Sequence, residues 1–316
     1  MRLLLYLLAG ISLIAPATAQ DYPSRPIHII APFGPGTATD TVARVVGAEL
    51  TRITGQAAVV DNKPGAEGQI GAQAAALSPP DGYTLFVTTQ TTQSINQHVY
   101  KTLPYDPVKS FAPVSGLSGG AQIVMVRNDL GVKSIAELIA LAQAQPGKLT
   151  FGSGNGSARG AAELFKIMAK VDLLGVPYKS QPQAIADLLG GRIDITFSDF
   201  TTGLPSIRSG QARGLAVTSL QRYPGLEEYP AVAETVPGYE SRPWNAAYAP
   251  AGTPRPIIDK LNAWIREAVA SEAYQRLLKI NLGVPFAGSP EDLAAWQESE
   301  TRKWGEIVRI AGMKEP

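Results

Sequence analysis

The sequence predicts an α/β protein built as two units in tandem, closed by a helical tail, with a ligand crevice between the two lobes. Three observations predict it. Strand-like and helix-like segments alternate from Asp21 onward, and the alternation restarts near Ala121. Each unit carries one glycine-rich turn between a strand and a helix. The chain has 316 residues, enough for about two domains.

The elements follow in order. Pro26 to Pro32 is a short β-branched run. Thr39 to Ile53 places Val42, Val45, Val46, Leu50 and Ile53 on one helical face. Ala57–Asp61 reads as a strand, Gln69–Leu77 as an Ala-rich helix and Thr84–Thr88 as a third strand. This βαβαβ order predicts a parallel sheet with covering helices. In the second unit Ala121–Val126 is a strand, and Ser134 with Glu137 has capping-box spacing. Lys148–Phe151 is a strand, Ala161–Lys170 a helix, and Ile193–Phe197 and Gly214–Thr218 are strands. The tail is helical: Thr253 is expected to cap a helix with Pro254 at its first position, and Ser289-Pro290-Glu291-Asp292 repeats the device. There is no internal repeat and no flexible linker, so short crossings should join the lobes.

The N-terminus lies outside this pattern. Arg2, an uncharged run from Leu3 to Ile14, and Pro16-Ala17-Thr18-Ala19 read as a secretory signal peptide, residues 1–19, too short to span a bilayer. No later stretch reaches 18 apolar residues. The chain holds no cysteine, which excludes thiol nucleophiles, disulfides and cysteine metal sites, and leaves no thiol for a lipid anchor. It holds two histidines, His28 and His98, so a histidine metal site is not expected either. Lys plus Arg number 28 and Asp plus Glu 27. That balance gives no field for nucleic acid or an anionic membrane surface. No large apolar stripe marks an obligate dimer, and a monomer is expected.

Two turns carry the chemistry. Pro32-Phe-Gly-Pro-Gly-Thr-Ala-Thr-Asp40 joins the first strand to the first helix. Glycines let backbone approach a ligand, and a helix N-terminus offers unpaired N–H groups with partial positive charge. The pair binds a carboxylate or phosphate without a cationic side chain. For Asp40 itself, capping with Thr37 is the stronger reading. Gly152-Ser-Gly-Asn-Gly-Ser157 repeats the device in the second unit, and its three glycines exceed what a tight turn needs. Two such loops facing one crevice suit a small anion. Neither loop matches G-x-G-x-x-G, no phosphate loop is present, and Phe151 stands where a nucleophile elbow needs glycine. His28 reads as a hydrogen-bonded core or edge residue, His98 as a residue of a surface helix, and Trp244 with Tyr248 as packing.

At these residues the chain resembles the substrate-binding receptors of tripartite tricarboxylate transporters, the Bug-type periplasmic family. The likeness runs in order through Pro32-Phe33 to Gly36, Asp40 and Ala43-Arg44. It continues with Asn62-Lys-Pro-Gly-Ala66, Gly68 to Gly71, Pro80-Asp-Gly-Tyr-Thr-Leu85, Asn96, Leu103-Pro-Tyr-Asp106 and Phe111-Ala-Pro-Val114. Gly154-Asn-Gly-Ser157, Val176-Pro-Tyr-Lys179, Asp187-Leu-Leu-Gly190, Trp244 and Ala249 to Pro254 complete it. The resemblance implies a type II periplasmic-binding-protein, Venus-flytrap fold. Lobe one would be residues 20–120 plus 241–316, and lobe two residues 121–240. It implies a non-catalytic periplasmic receptor, without cofactor, that delivers a small organic carboxylate to membrane permease subunits. Phe33, Gly36, Thr37, Ala38 and Asp40 would line one side, and Ser153, Gly154, Asn155, Gly156 and Ser157 the other, with Thr89, Gln90 and Asp199 near the distal part of the ligand. Thr37, Glu67 and Ser180 depart from the family pattern. Gly36→Leu or Gly154→Leu is expected to block binding without unfolding. The alternatives are a carboxylate sensor component, or a dehydrogenase or hydrolase using Asp40, Glu67 or Asp199 as acid or base.

Overall fold

A computed structural model describes residues 22–313, so the expected signal peptide lies outside the described residues. β1 (Ile27–Ala31) buries Ile27, Ile29, Ile30 and Ala31, as β-branched residues packed between helical layers do. A turn leads into α1 (Ala38–Thr54), which buries Val42, Ala43, Val46 and Leu50 and stops at Gly55, whose φ of 71° lets its N–H cap the Thr51 carbonyl at 2.9 Å. β2 (Ala58–Asn62), α2 (Gln69–Ala76) and β3 (Thr84–Thr89) follow. β1 pairs in parallel with both β2 and β3, as the βαβαβ order predicts. A turn of π-helix, Thr91–Ile95, then passes into the short α3 (Asn96–Val99), and β4 (Phe111–Gly119) carries the chain to the far end of the sheet.

The chain crosses at Gly119–Ala121 into a second sheet. Its elements are β5 (Gln122–Arg127), α4 (Ile135–Ala144), β6 (Thr150–Ser153), α5 (Gly156–Ala169), β7 (Leu174–Pro177), α6 (Gln181–Leu189), β8 (Ile195–Asp199), α7 (Phe200–Arg208) and β9 (Ala212–Val217). The return brings β10 (Trp244–Pro250), α8 (Arg255–Ala270), α9 (Glu272–Asn281), β11 (Val284–Pro285) and α10 (Pro290–Ala311). The strand orders are β11-β4-β10-β3-β1-β2 and β7-β6-β8-β5-β9. One sheet thus draws on residues 27–119, 244–250 and 284–285, the other on residues 122–217.

Both sheets are mixed rather than parallel. β10 runs antiparallel to β3 and β4, and β5 antiparallel to β8 and β9. The physical reason is that β5 and β10 are entered by a crossing from the other sheet, not by a helical crossover, so the right-handed parallel rule does not bind them. Each sheet packs helices on both faces. In the first, Ile27, Ile29, Val87, Leu261 and Ile265 fill one side, and Ile30, Phe86, Phe111 and Tyr248 the other. In the second, Val124, Phe151, Phe165 and Phe197 face α4 and α5, and Met125, Leu188 and Leu204 face the opposite way. Full burial of each such side chain contributes about 1.5–3 kcal/mol.

Several local expectations change. His28 is exposed, in a strand flanked on both sides, so it is neither a core nor an edge residue. His98 is half-buried on α3, with its Nε2 donating to the Thr301 carbonyl at 2.9 Å. Burial pulls its pKa down against that hydrogen bond. Thr253 does not cap α8: its Oγ1 donates to the Pro250 carbonyl at 2.7 Å, Pro254 occupies the cap, and the helix starts at Arg255. Ser134 accepts from the Glu137 N–H, but Glu137 reaches back to Lys133 N instead of closing the box on Ser134. Ser289 and Asp292 do form the reciprocal capping box that starts α10. α5 begins at Gly156, five residues before the expected start, because Asn155 caps it.

α10 also ties the two sheets together. Glu300, buried, accepts from Trp244 Nε1 at 3.3 Å and Trp304 Nε1 at 3.2 Å. The Trp304 ring fills the space beside Gly160 of α5, where an added Cβ would sit 2.3 Å from the ring.

Candidate functional site

A cleft runs between the two sheets from the crossing strands to the glycine-rich turns. Its first wall is the N-terminus of α1. Thr37 caps this helix, its Oγ1 accepting from the Asp40 N–H at 3.3 Å. Asp40 does not return to Thr37. Its Oδ2 accepts instead from the Gly36 N–H at 3.0 Å, and the same carboxylate takes Arg44 Nε at 3.1 Å and Asn62 Nδ2 at 2.9 Å. Asn62 also donates to the Phe33 carbonyl at 2.9 Å, which pins the turn. Burial would raise the Asp40 carboxyl, but these hydrogen bonds and the Arg44 charge outweigh it and hold it below the ordinary carboxylate range. Asp40 and the Gly36 N–H therefore satisfy each other and stand off the cleft wall. The helix geometry leaves the N–H groups of Ala38 and Thr39 without intrahelical partners, and both residues line the cleft.

The second wall is the N-terminus of α5, and it is differently occupied. The Gly154 N–H donates to Gln181 Oε1 at 3.0 Å, and Gln181 Nε2 donates to Thr196 Oγ1 at 2.8 Å. The Ala158 N–H is capped by Asn155 Oδ1 at 2.9 Å. The Ser157 N–H donates across the cleft to Thr91 Oγ1 at 3.2 Å, and the two hydroxyls lie 3.3 Å apart. The glycines of this turn have packing reasons. A Cβ on Gly152 would meet Ile193, one on Gly156 would meet Thr91 at 2.8 Å, and one on Gly154 would lie 2.1 Å from the backbone of Ser180 and Gln181. Gly154→Leu therefore displaces α6, and cannot serve as the clean binding test the sequence suggested.

A third helix terminus, that of α7, also reaches the cleft. Asp199 caps it, with Oδ1 accepting from the Thr202 N–H at 3.0 Å. Burial pushes the Asp199 carboxyl up, against the lowering by Thr202 and the Thr201 N–H.

The cleft wall thus brings together Phe33, Thr37, Ala38, Thr89, Gly154, Asn155, Ser157 and Asp199. Gly36, Asp40, Gln90, Ser153 and Gly156 are not on it. Gln90 is fully buried at the end of β3, and Ser153 lies in β6 with its carbonyl accepting from Tyr178 N at 2.8 Å. Glu67 lines the adjoining mouth with Arg159 and Lys179. Sequence reasoning missed Gln181, the crossing segments at Ser118–Gln122 and Pro243–Asn245, and Leu277, Leu278, Asn281, Leu282 and Gly283 at the C-terminal end of α9. These are far apart in the chain and carry no local motif. Gln181 alone had a signal, a polar residue between Ser180 and Pro182 at a helix start.

Residues 42–313 match the family model described as the tripartite tricarboxylate transporter family receptor, TctC. The chain belongs to this family. Protein BugT of Bordetella pertussis is 35% identical over 311 residues, covering 97% of this chain and 94% of BugT. Among solved structures, Rpa4515 of R. palustris with adipate is 35% identical, with a TM-score of 0.89, over 92% of this chain and 99% of that one. MatC from Rhodopseudomonas palustris with bound malate is 27% identical, with a TM-score of 0.86, over 91% and 100%. The TctC likeness read from the ordered turns therefore holds, together with the two-lobe fold. TctC proteins are solute receptors rather than enzymes, which sets aside the dehydrogenase and hydrolase readings of Asp40, Glu67 and Asp199.

Proposed function

We propose that the protein is a periplasmic receptor that closes its two lobes on a small organic carboxylate and delivers it to the membrane permease subunits of a tripartite tricarboxylate-type transporter. The observation that carries this reading is the N-terminus of α1. Two N–H groups, of Ala38 and Thr39, face a cleft with the positive end of a 17-residue helix behind them. A carboxylate accepts from both without needing a cationic side chain. Thr37, Thr89, Asn155 and Ser157 add hydroxyl and amide groups around it, and Phe33 closes the side. Lobe closure removes water from the anion and strengthens each hydrogen bond. The adipate and malate held by the two R. palustris receptors support this ligand class.

In this reading lobe one is residues 20–120 plus 241–316 and lobe two is residues 121–240. Residues 1–19 direct export, and the mature receptor is a monomer without a lipid anchor. The test is thermal melting of purified, ligand-stripped protein against a panel of carboxylates, with NAD as control. A ligand at 100 times its Kd adds about 2.7 kcal/mol, roughly 5–10 °C for a chain of this size. A shift with a carboxylate that is not turned over is the expected result. No shift with any carboxylate sinks the reading.

A further inference from the structure

The two ends of the cleft differ in the charged groups they present. The α1 end offers N–H donors with no ionisable side chain on the wall. The wall contributed by α7 and the crossing strand β10 carries the Asp199 carboxyl. Asp199 is the one ionisable side chain among the described residues lining the cleft, and no Lys, Arg or His stands with it there. Asp40 shows what a paired carboxylate looks like in this protein, with Arg44 at 2.9 Å. Asp199 has no such partner among the described residues: its hydrogen bonds come from the first turn of its own helix. The same lining holds the apolar Phe200, Trp244, Leu278 and Leu282, with Thr201 and Gln122, the cross-strand partner of Asp199, as polar neighbours. Asn245 adds a side-chain oxygen that is buried and accepts no hydrogen bond. A carboxylate in such a wall calls for a counter-charge. A second carboxylate from a ligand would be set against the Asp199 carboxyl.

We infer that the cleft takes a ligand with a carboxylate at one end and a cationic or hydrogen-bond-donating group, an ammonium best of all, at the other, with Asp199 as the residue that selects it. This rests on the reading that the α1 end holds a carboxylate. The hydrocarbon body between the two groups lies against Phe200, Trp244 and Leu278. The repulsive half of the selection is as informative as the attractive half, because specificity is a difference of affinities. Asp199 rejects dicarboxylates as it attracts amines.

Three six-carbon compounds with the same proximal carboxylate test it: 6-aminohexanoate, hexanoate and adipate, titrated calorimetrically into the purified protein. The expected order is 6-aminohexanoate first, with adipate at least about tenfold weaker. Asp199→Asn keeps a capping side chain on α7 and should weaken 6-aminohexanoate by about tenfold relative to hexanoate while improving adipate. The wild-type order alone decides the matter if the variant fails to fold. Adipate binding as tightly as 6-aminohexanoate, or hexanoate matching it, overturns this inference and leaves the carboxylate site standing. Failure of all three to bind overturns both.

Discussion

The N-termini of α1 and α5 are the same device in sequence, a glycine-rich turn from a parallel strand into a helix, yet they end in different states. At α1 the nearby carboxylate, Asp40, takes the Gly36 N–H, and Ala38 and Thr39 are left facing the cleft. At α5 the Gly154 N–H, which stands where Gly36 does at α1, is taken by Gln181, and the Ser157 N–H, which stands where Thr39 does, is taken by Thr91 of the other sheet. One terminus leaves its second N–H to a ligand and the other uses it to hold the lobes together. What differs is not the turn but what the rest of the chain brings to it.

The comparison breaks most visibly at the glycines. Gly154→Ala puts a methyl 2.1 Å from the Ser180–Gln181 backbone, and overpacking of this kind should cost about 3 kcal/mol, a drop in Tm of roughly 6–12 °C. Gly36→Ala has open space around it but a φ of 81°, so it should cost only about 1–2 kcal/mol. Equal losses measured by calorimetric melting would mean that the two turns are alike after all.

Ala38→Pro sharpens the functional side. Ala38 is the first residue of α1, where proline is tolerated, and Thr37 is already extended. The change deletes one N–H and little else. Carboxylate affinity should fall roughly 10- to 100-fold, as for a charge-assisted hydrogen bond, with Tm unchanged. Retained affinity would move the anion away from α1.

Thr91→Val removes the hydroxyl that accepts from Ser157 and keeps its shape. The closed form should lose about 1 kcal/mol, read as a smaller ligand-induced compaction in small-angle scattering. An unchanged scattering profile would show that Trp304 and Gly160 hold the lobes without it.

The smallest effect is in the pH dependence. The Asp40 carboxyl is held below its unfolded value, so its contribution to stability is present above the ordinary carboxylate range and is lost as pH falls through its lowered pKa. The Asp199 carboxyl is raised, so the folded state binds its proton more tightly, and its contribution is fully present at low pH and lost as pH rises through the raised pKa. Denaturant titrations between pH 3 and pH 7 should therefore show Asp40→Asn flattening the acid loss of stability and Asp199→Asn steepening it. Slopes shifted in the same direction by both would contradict the difference between the two walls.

Much of this was legible in the chain. The periodic apolar residues of α1, the βαβαβ order and the Ser289 cap with Pro290 at the first helical position rest on local rules, and they stand as read. The alternation also located the restart at Ala121. The mixed direction of the sheets was not legible, because β5 and β10 take their orientation from crossings between lobes. Of the candidate site, Phe33, Thr37, Ala38, Asn155, Ser157 and Asp199 line the cleft, whereas Gly36, Asp40 and Gln90 turn away from it. Gln181, Leu277, Leu278 and Asn281 reach the cleft only because α6 and α9 pack there.

The sequence by itself determined the elements, the ordered turns that mark the family, and the absence of cysteine chemistry. These depend on residue type and short spacing, which act within a few residues. Only the tertiary structure decided which N–H groups remain open and which are met by Thr91 or Gln181. It also decided that Asp40 has Asn62 beside it while Asp199 has no cation among the described residues. A hydrogen bond is settled by position to within a fraction of an ångström, and that position is set by segments dozens of residues away.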